Sequence, residues 1–567
     1  THVHTETPSD DFQRQPMLTR RLTESGPGVV MFDWDGDGAD ELFFGTGAGG
    51  NIAAYTAGAD GRLAKLNEPA FSQPMLGDSL GLAGWVDASG KRALLVAVST
   101  HDFPAPVVPS LQIFRPGKAE PEVIELPSTN HSDVGSIAVA DADGDGDLDV
   151  FVAGRGVPGR FPNPASSWLL RCSPDGLKLD AGQAATFANV GMVTAAVFVP
   201  LDADPLPELV LATEWGTIKV FQNRGGTFTD ATKEWGLDQQ PGIWQTLAAG
   251  DFDGDGRFDL LAGNWGLNSH LMHGTKRVPY LVHGDIGGDG MYDALEARFE
   301  LVSKRLLPRH RMVTLELVFP FLRERFPTHR RYGSATLQQI FAGQLTGAKL
   351  IKASHLASVV LLNRDGKFES RLLPVEAQLT PVMGASVADF DGDGNEDVFL
   401  SQNYFAVRVE DYRMDSGEGL LLKGDGAGGF ASLFGHRSGI RVYGEQRGSA
   451  VGDLNRDGRP DLIVAQSKAR PRLYLNTLGQ TGLRLSLSGP TGNPLGQGST
   501  ARVVFADGSM GAARLIGGNS GRYSQAAAGQ TLGGAKRIRS IEVAWPSGTT
   551  TRMNVTDPAR PVVVKPN

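Results

Sequence analysis

The chain has 567 residues, of which 41% are hydrophobic, 21% charged and 8% aromatic, and it contains 73 glycines. This composition indicates a soluble globular protein with many tight turns, long enough for one large domain and one small one. No apolar run reaches the roughly 18 residues of a membrane span. The net charge of −9, without a basic stripe, argues against a nucleic-acid binder.

The N-terminal segment, residues 1–25, precedes the first acidic loop. Its stretch from Met17 to Leu22 could supply a strand that closes the last repeat unit, because the sequence pattern of that unit predicts only three strands. Closure of this kind would remove an open sheet edge. The chain starts at Thr1 without Met, as expected if an export signal has been removed, although a trimmed chain would look the same.

Five loops follow the pattern Asp-x-Asp-x-Asp-Gly-x-x-acid, with Asn455 replacing one Asp in the last copy. Oxygens from positions 1, 3, 5, 7 and 9 of such a turn can surround a hard cation, and the number of ligands favours Ca²⁺ over Mg²⁺. A simple Asp/Gly turn is the alternative, but packed acids would repel one another without a cation. The predicted ligands are Asp33, Asp35, Asp37, Ala39 and Glu41; Asp141, Asp143, Asp145, Asp147 and Asp149; Asp251, Asp253, Asp255, Arg257 and Asp259; Asp389, Asp391, Asp393, Asn395 and Asp397; and Asp453, Asn455, Asp457, Arg459 and Asp461.

Weaker copies of the loop lie between the complete ones. The copy at 87 has lost its ligands, the copy at 200–208 keeps three acids, and the copy at 285–293 keeps Asp285, Asp289 and Asp293 as a possible weak metal site. Starts at 33, 87, 141, 200, 251, 285, 389 and 453 are mostly 50 to 65 residues apart. Several short strands at this period predict an all-β fold, a β-propeller over 26–478. Direct counting predicts eight four-stranded blades, but the short step from 251 to 285 leaves seven possible.

Residues 299–349 are predicted to form a helical insertion. Leu315, Val318, Phe319, Leu322 and Phe326 follow helical spacing. Between 301 and 343 the segment has eight Lys or Arg residues against Glu316 and Glu324. It is interpreted either as a lid with a solvated basic face or as a docking surface for an anionic glycan, a lipid headgroup or an acidic protein.

Residues 479–567 alternate apolar and polar positions between glycine-rich turns, which predicts a small β-sandwich. Three tail motifs, Gly498-Ser-Thr-Ala-Arg-Val, Gly518-Asn-Ser-Gly-Arg-Tyr-Ser-Gln525 and Ile541-Glu-Val-Ala-Trp-Pro-Ser-Gly548, resemble the ASPIC/UnbV domain. The acidic loops with their flanking strands resemble the FG-GAP/VCBS repeats of calcium-binding propellers. The combination is similar to UnbV-type bacterial proteins and cartilage acidic protein of animals. This resemblance implies an architecture more than an activity.

Long connections between second and third strands should gather on the face opposite the acidic turns, where loops of a rigid scaffold often carry function. The residues predicted for a ligand or partner there are Trp265, Asn268, Tyr404, Asp411, Tyr412 and Arg413. The favoured hypothesis is a secreted, cell-surface or periplasmic module with about five Ca²⁺ ions that binds a protein or surface glycan without catalysis. No catalytic residue is assigned. The alternative is a carbohydrate-active lyase or hydrolase that uses the same face.

Overall fold

The computed structural model describes residues 2–566 except 8, 59, 102, 104–106, 272–277, 302–303, 518–520 and 535. Most of the regular structure is β-strand. The described α-helices are short: Asp11–Arg14, Ala184–Phe187, Met312–Val318, Leu322–Arg325, His329–Gly333, Leu337–Phe341 and Gly435–Ser438, with 3-10 turns at Pro69–Phe71 and Val375–Gln378. None of the described helices has the length and apolar character needed to cross a membrane.

In the part of the chain that the structure describes, seven antiparallel sheets, numbered here in chain order, make up the propeller. Each contains the strands that follow, given from the first strand outward. Sheet 1 has Val29–Phe32, Glu41–Phe44, Ala53–Ala57 and Leu63–Lys65; sheet 2 has Ser79–Val86, Arg92–Val98, Ser110–Phe114 and Glu122–Glu125; sheet 3 has Asp133–Ala140, Asp149–Gly156, Trp168–Arg171 and Lys178–Leu179; sheet 4 has Met192–Val199, Glu208–Gly216, Lys219–Arg224 and Thr227–Asp230, with Gly242–Ile243 beside its second strand; sheet 5 has Thr246–Gly250, Asp259–Gly263, Val359–Asn363 and Phe368–Leu372; sheet 6 has Val382–Ala388, Asp397–Gln402, Leu420–Gly424 and Phe430–Leu433; sheet 7 has Gln446–Gly452, Asp461–Gln466 and Arg472–Tyr474.

The first strands of these sheets form a closed ring. Each packs against the first strand of the next sheet, and the first strand of sheet 7 packs against that of sheet 1. All eight residues of Ser79–Val86, Asp133–Ala140 and Met192–Val199 are buried. Neighbouring sheets cover both faces of these strands, which explains why their sequences are continuous apolar runs of small and β-branched residues.

The 285–293 loop does not begin a member of this ring. It joins two strands of a separate sheet, ordered Arg305–Pro308, Asp293–Glu300, Pro279–Gly284, Lys349–Lys352. This inserted sheet lies in the chain between the second and third strands of sheet 5, so the step from 251 to 285 marks an interruption of a unit. Among the described residues, seven sheets contact one another in the ring and the inserted sheet lies outside it, which is the arrangement of the seven-blade alternative. The predicted helices lie within the same insertion, at 312–341.

The N-terminal segment does not complete sheet 7. That sheet has three strands, and the stretch from Met17 to Leu22 lies instead on the face away from the acidic turns. Met17 packs with the inserted helices, Leu18 packs with Trp265, and Arg20 forms an isolated bridge with Val407. The prediction of a closing strand is wrong because the apolar residues of this segment are used to cover the opposite face.

The tail contains two small sheets over one apolar core. One sheet is ordered Gln530–Leu532, Leu483–Leu487, Val562–Val564, and the other Arg514–Leu515, Thr500–Phe505, Ile538–Ala544, Thr550–Asn554. Their shared core includes Leu485, Val503, Ile541 and Trp545.

A segment of the tail, residues 521–527, enters the centre of the ring. Ser524–Gln525 pairs in parallel with Val29–Val30, which belong to the first strand of sheet 1. The Ala196 amide donates to the Gly521 carbonyl at 3.1 Å, and the Ala527 amide donates to the Val451 carbonyl at 3.0 Å. Sheets 1, 4 and 7 are thus bonded to one tail segment. Part of the tail motif, residues 518–520, lies outside the described residues.

Candidate metal centres

The acidic loops join the first and second strands of their sheets at one end of the ring. In each complete loop the residue before position 1 pairs with position 9, as Phe32 with Glu41 and Gly250 with Asp259. The same pairing occurs at Ala140–Asp149, Ala388–Asp397 and Gly452–Asp461. The strand ladder therefore holds every loop in the same register.

Carboxylates converge in four of the five complete loops. One oxygen from each of three residues lies within 4.8 Å of the others in the sets Asp33, Asp35, Asp37; Asp141, Asp143, Asp145; Asp251, Asp253, Asp255; and Asp389, Asp391, Asp397. Such a set of oxygens suits a hard divalent cation. In the fifth loop an amide takes the place of one acid, and the Asn455 Nδ2 donates to Asp457 at 3.2 Å.

Position 9 has a role that does not depend on a cation. In the 251–259 loop, the Phe252 amide donates to one oxygen of Asp259 at 2.9 Å and the Asn363 amide donates to the other at 2.8 Å. Asp397 and Asp461 accept the equivalent pairs of main-chain bonds. The ninth acid thus fastens the turn to the third strand of its own sheet.

Burial makes these acids hard to ionise without a counter-charge. It raises the pKa of Asp397 to about 8 and the pKa of Asp259 to about 7, with neighbouring carboxylates adding to the rise. Asp251 Oδ1, Asp253 Oδ1 and Asp389 Oδ1 are buried without a hydrogen-bond partner among the described residues. Buried polar atoms normally have a partner, so these oxygens fit a cation.

A basic residue just after or near the end of the third strand meets the acidic loop of the same sheet. Arg171 Nη1 lies 2.7 Å from Asp149, Arg364 Nη1 lies 2.5 Å from Asp253, and Lys423 Nζ lies 2.8 Å from Asp393. These three basic residues were not predicted from the sequence to contact the acidic loops. Their recurrence after the third-strand motifs, as in Val359-Val-Leu-Leu-Asn-Arg364 and Leu420-Leu-Leu-Lys423, was the available signal.

The incomplete loops differ in the groups that contact their acidic side chains. At 200–208, Arg224 lies 2.9 Å from Asp202 and 3.2 Å from Asp204. At 87, Arg115 lies 3.0 Å from Asp87. At 285–293, Asp285 accepts bonds from three loop amides, and Asp293 Oδ1 is buried without a described partner. Its three acids are not brought together as a described metal set.

The tail covers the acidic-turn end of the ring. The Ala513 amide donates to Asp251 Oδ2 at 2.8 Å, Arg514 pairs with Glu396 at 2.7 Å, and Arg484 pairs with Asp453 at 3.1 Å. Loops of sheets 5, 6 and 7 are therefore in direct contact with the tail. A change in the charge of these loops would therefore alter how the tail packs on the ring.

On the opposite face, the six residues predicted for a partner separate into two groups. Trp265 and Tyr404 are buried; Arg20 stacks over Trp265, and the Tyr404 hydroxyl donates to the Arg21 carbonyl at 2.5 Å. Both side chains contact the N-terminal segment and are therefore not open to a partner, in contrast to their assignment to the ligand or partner face. Asn268, Tyr412 and Arg413 are exposed and Asp411 is half-buried.

A polar pocket of about 270 Å³ opens beside Asp411 and Tyr412. His270, Glu296 and His310 also line it. Burial alone would raise the pKa of Glu296, but the hydrogen bond and charge of His270 hold that pKa at about 2. Burial raises the pKa of Asp411. The pocket therefore contains two carboxyl groups whose surroundings shift their pKa values in opposite directions.

Among known families, the model of the FG-GAP-like repeat matches residues 201–262. Cartilage acidic protein 1 of Homo sapiens is 24% identical over 402 residues, a match that covers 67% of this chain and 56% of that protein. The chain thus spans little more than half the length of this relative.

Two solved structures are similar to this chain only at low TM-scores. The V. cholerae biofilm matrix protein Bap1 has a TM-score of 0.35 at 14% identity, covering 84% of this chain and 91% of that one. The six-bladed β-propeller lectin of Aleuria aurantia has a TM-score of 0.31 at 11% identity, covering 74% and 97%. The family resemblance rests on the repeat match and on the human relative. Residues 201–262 match the FG-GAP-like repeat and the chain is similar to cartilage acidic protein 1, which confirms the resemblance predicted from its loops and tail.

Proposed function

We propose that this protein is an extracytoplasmic β-propeller stabilised by about five Ca²⁺ ions, and that it binds a protein or a surface glycan without catalysing a reaction. The observation that carries the calcium assignment is the convergence of three carboxylate oxygens within 4.8 Å in four loops. Calcium loops of modest affinity need the high calcium concentration outside the cytoplasm, which supports the location.

The residues that would hold each ion are the predicted loop ligands. The central set is positions 1, 3 and 5 in three loops and positions 1, 3 and 9 in the 389–397 loop. Bound Ca²⁺ would supply the positive charge that the buried carboxylates lack. The ninth acid and the main-chain bonds it accepts would keep the loop in place around the ion. The ions would thereby strengthen the surface on which the tail rests.

The partner surface is proposed around Asn268, Tyr412 and Arg413 beside the basic insertion. Tyr412 is 86% exposed although it is a large aromatic residue, and Tyr and Arg side chains dominate many binding interfaces. The N-terminal segment covers the apolar residues Trp265 and Tyr404 on this face. A partner would therefore contact the exposed residues Asn268, Tyr412 and Arg413 and not the centre of the ring.

The test uses the full chain with calcium, an array of acidic and neutral glycans, and affinity capture from extracellular extract. Tyr412→Ala and Arg413→Ala should each lower binding of the ligand found at least tenfold, while calcium content and Tm stay the same. Arg62→Ala, which changes another highly exposed arginine at a turn of sheet 1, is the matched control. A ligand whose binding is unaffected by both variants would contradict this assignment.

A carbohydrate-active lyase or hydrolase remains the second candidate, and the polar pocket favours it. Burial raises the pKa of Asp411, whereas the hydrogen bond and charge of His270 hold the pKa of Glu296 at about 2, and carboxyl groups shifted in opposite directions are typical of an acid and a base. If this function is correct, polysaccharide turnover will be detected and Asp411→Asn will reduce kcat about 100-fold or more. Turnover unchanged in Asp411→Asn would reject the pocket as the active site.

A further inference from the structure

The tail segment 521–527 carries a charged side chain, Arg522, into the centre of the ring. Arg522 is only 2% exposed. Its Nη1 donates to the Gln245 carbonyl at 3.3 Å and to the side-chain oxygen of the same glutamine. The guanidinium carbon lies 5.0 Å from the centre of the Tyr523 ring. These neutral groups stabilise the guanidinium, but none of them carries a negative charge.

Arg522 has no carboxylate partner among the described residues. The other guanidinium groups around the centre of the ring each contact a carboxylate, in the pairs Arg20–Glu214, Arg155–Glu214 and Arg447–Glu445. Residues 518–520, which precede this part of the tail and lie outside the described residues, are Gly, Asn and Ser and carry no charge. Arg522 is therefore a buried cation without a counter-charge in the described part of the chain.

The charges that act on Arg522 are those of other cations. Burial lowers the pKa of Arg522 to about 9, and the positive charges of Arg155 and Arg447 contribute to this fall. Arg155 belongs to sheet 3 and Arg447 to sheet 7, which lie on opposite sides of the ring. A group that both charges reach lies near the axis of the ring. Because its pKa stays above 7, Arg522 remains charged at neutral pH.

Buried donor groups near this position also lack partners. Four of them have no hydrogen-bond partner among the described residues: Arg522 Nε, the Tyr523 hydroxyl, Ser524 Oγ and Arg447 Nε. The tail and sheet 7 are in close contact here, since a Cβ on Gly448 would lie 2.3 Å from Ser524 Oγ. Unpaired donors beside an uncompensated positive charge fit an anion, which accepts hydrogen bonds and donates none.

The surroundings restrict such an anion to a small one with a single charge. The tail segment closes the centre of the ring from one end. The N-terminal segment covers it from the other end, where Arg447 Nη2 donates to the Glu24 carbonyl at 3.1 Å. One unpaired guanidinium requires one negative charge, and a divalent oxyanion would bring a second charge and more volume into a site with little access to water.

A buried charge is costly unless a counter-charge accompanies it, and a water molecule bonds free donors without balancing the charge. We propose that a monovalent inorganic anion of the size of chloride binds at the axis of the ring beside Arg522 and Arg447. The hydroxyl groups of Tyr523 and Ser524 would donate to the same ion. The ion would join the tail segment to the first strand of sheet 7 and so hold the tail on the ring.

The direct test is anomalous diffraction from crystals of the full, calcium-loaded chain grown in sodium bromide, because bromide replaces chloride and its position can be measured. A bromide ion is expected within hydrogen-bonding distance of Arg522 Nε. Bromide found only beside exposed side chains, an adventitious ion only, would overturn the proposal.

Thermal unfolding provides a second measurement in solution. The chain, loaded with calcium gluconate, is heated in sodium chloride and in sodium gluconate at equal ionic strength, since gluconate is too large for an enclosed site. Chloride at about 100 times its Kd should raise the Tm by about 2 °C, because it binds only the folded state of a chain of this length. Equal Tm values in the two salts would contradict the proposal.

Matched variants separate this site from a general effect of salt. Arg522→Gln removes the charge and should abolish the Tm difference between the two salts, whereas Arg522→Lys keeps the charge and should retain a smaller difference. Arg514→Gln is the control, because Arg514 is another buried arginine of the tail but pairs with Glu396 at 2.7 Å. This variant should have a lower Tm and the full chloride effect.

A chloride effect of the same size in Arg522→Gln as in the unaltered chain would overturn the proposal and indicate a general effect of salt. If Arg522→Gln does not fold, the bromide position and the chloride effect in the unaltered chain decide the question. The site is separate from the acidic loops and from the partner surface at Tyr412, so its failure leaves the proposed function to be judged on its own test.

Discussion

The complete loop of sheet 5 and the incomplete loop of sheet 4 have the same turn but different charges at its centre. In sheet 5, Asp251, Asp253 and Asp255 converge. In sheet 4, Pro200 stands at position 1, so only Asp202 and Asp204 remain of these three acids. Arg224 lies against both, as Arg364 lies against Asp253 in sheet 5. Yet both loops keep the acid at position 9, where Asp259 and Glu208 accept the amide of position 2 at 2.9 Å.

This difference separates two functions within one motif. The ninth acid and the strand pairing form the turn, and the first acids provide charge for a cation. A basic residue near the end of the third strand contacts the acids of both kinds of loop, so the loss of the acid at position 1 is what distinguishes sheet 4. The calcium account therefore predicts that sheets with complete loops respond to calcium and that sheet 4 does not.

The largest expected effect comes from chelation. A ligand that binds only the folded state at 100 times its Kd stabilises that state by about 2.7 kcal/mol per site. Removal of all five ions should then lower the Tm by about 10 °C or more. Scanning calorimetry with EDTA, and with EDTA plus excess Ca²⁺, measures this shift. The same Tm in both samples would contradict the claim that the complete loops hold stabilising Ca²⁺ ions.

A smaller effect is expected from pH in the calcium-free protein. The folded pKa values of Asp397, about 8, and Asp259, about 7, lie above the ordinary value of 3.8. The folded state therefore binds more protons than the unfolded state between about pH 4 and 8, so these groups make the calcium-free protein less stable as pH rises. With saturating Ca²⁺ the carboxylates are held ionised, and their contribution should instead be lost as pH falls.

Urea unfolding at pH 5 and pH 8, with and without Ca²⁺, tests this reversal of sign. The gain from Ca²⁺ should be larger at pH 8, because protons no longer compete for the loop oxygens. A gain from Ca²⁺ that is larger at pH 5 would contradict the placement of these acids around a cation.

The smallest effect is expected at the arginine of sheet 4. Arg224→Gln leaves Asp202 and Asp204 without their partner, but the arginine side chain is 52% exposed, so solvent screening limits the loss to about 1 kcal/mol or less. The loss should not change with calcium concentration. If Arg224→Gln made the Tm depend more strongly on Ca²⁺, then sheet 4 would also hold an ion.

Much of the ring was predictable because its information is local. The loop at Asp251 to Asp259 specifies its own turn, and the apolar runs on both sides specify two buried strands. Repetition then indicates the propeller without knowledge of any long-range contact. The role of position 9 was not predictable in this way, because the bonds of Asp259 to Phe252 and Asn363 depend on how the third strand is placed.

The errors concern segments whose partners are distant in sequence. Trp265 was predicted to bind a partner because an aromatic residue in a long loop suggests a binding site, but it is buried, with Arg20 over its ring and Leu18 in the same apolar cluster. Likewise, no local pattern shows that the tail residues 521–527 enter the ring. Gly521 illustrates the closeness of that contact, since a Cβ there would lie 1.8 Å from the Leu247 carbonyl oxygen.

The most direct test of the account is a calcium count on the purified protein and two variants by plasma mass spectrometry after equilibrium dialysis. The account predicts about five ions for the unaltered chain, one fewer for Asp253→Ala, and no change for Asp202→Ala, because the loop of sheet 4 has Pro200 in place of the acid at position 1. A chain without calcium, loss of every ion in Asp253→Ala, or loss of one ion in Asp202→Ala would contradict it.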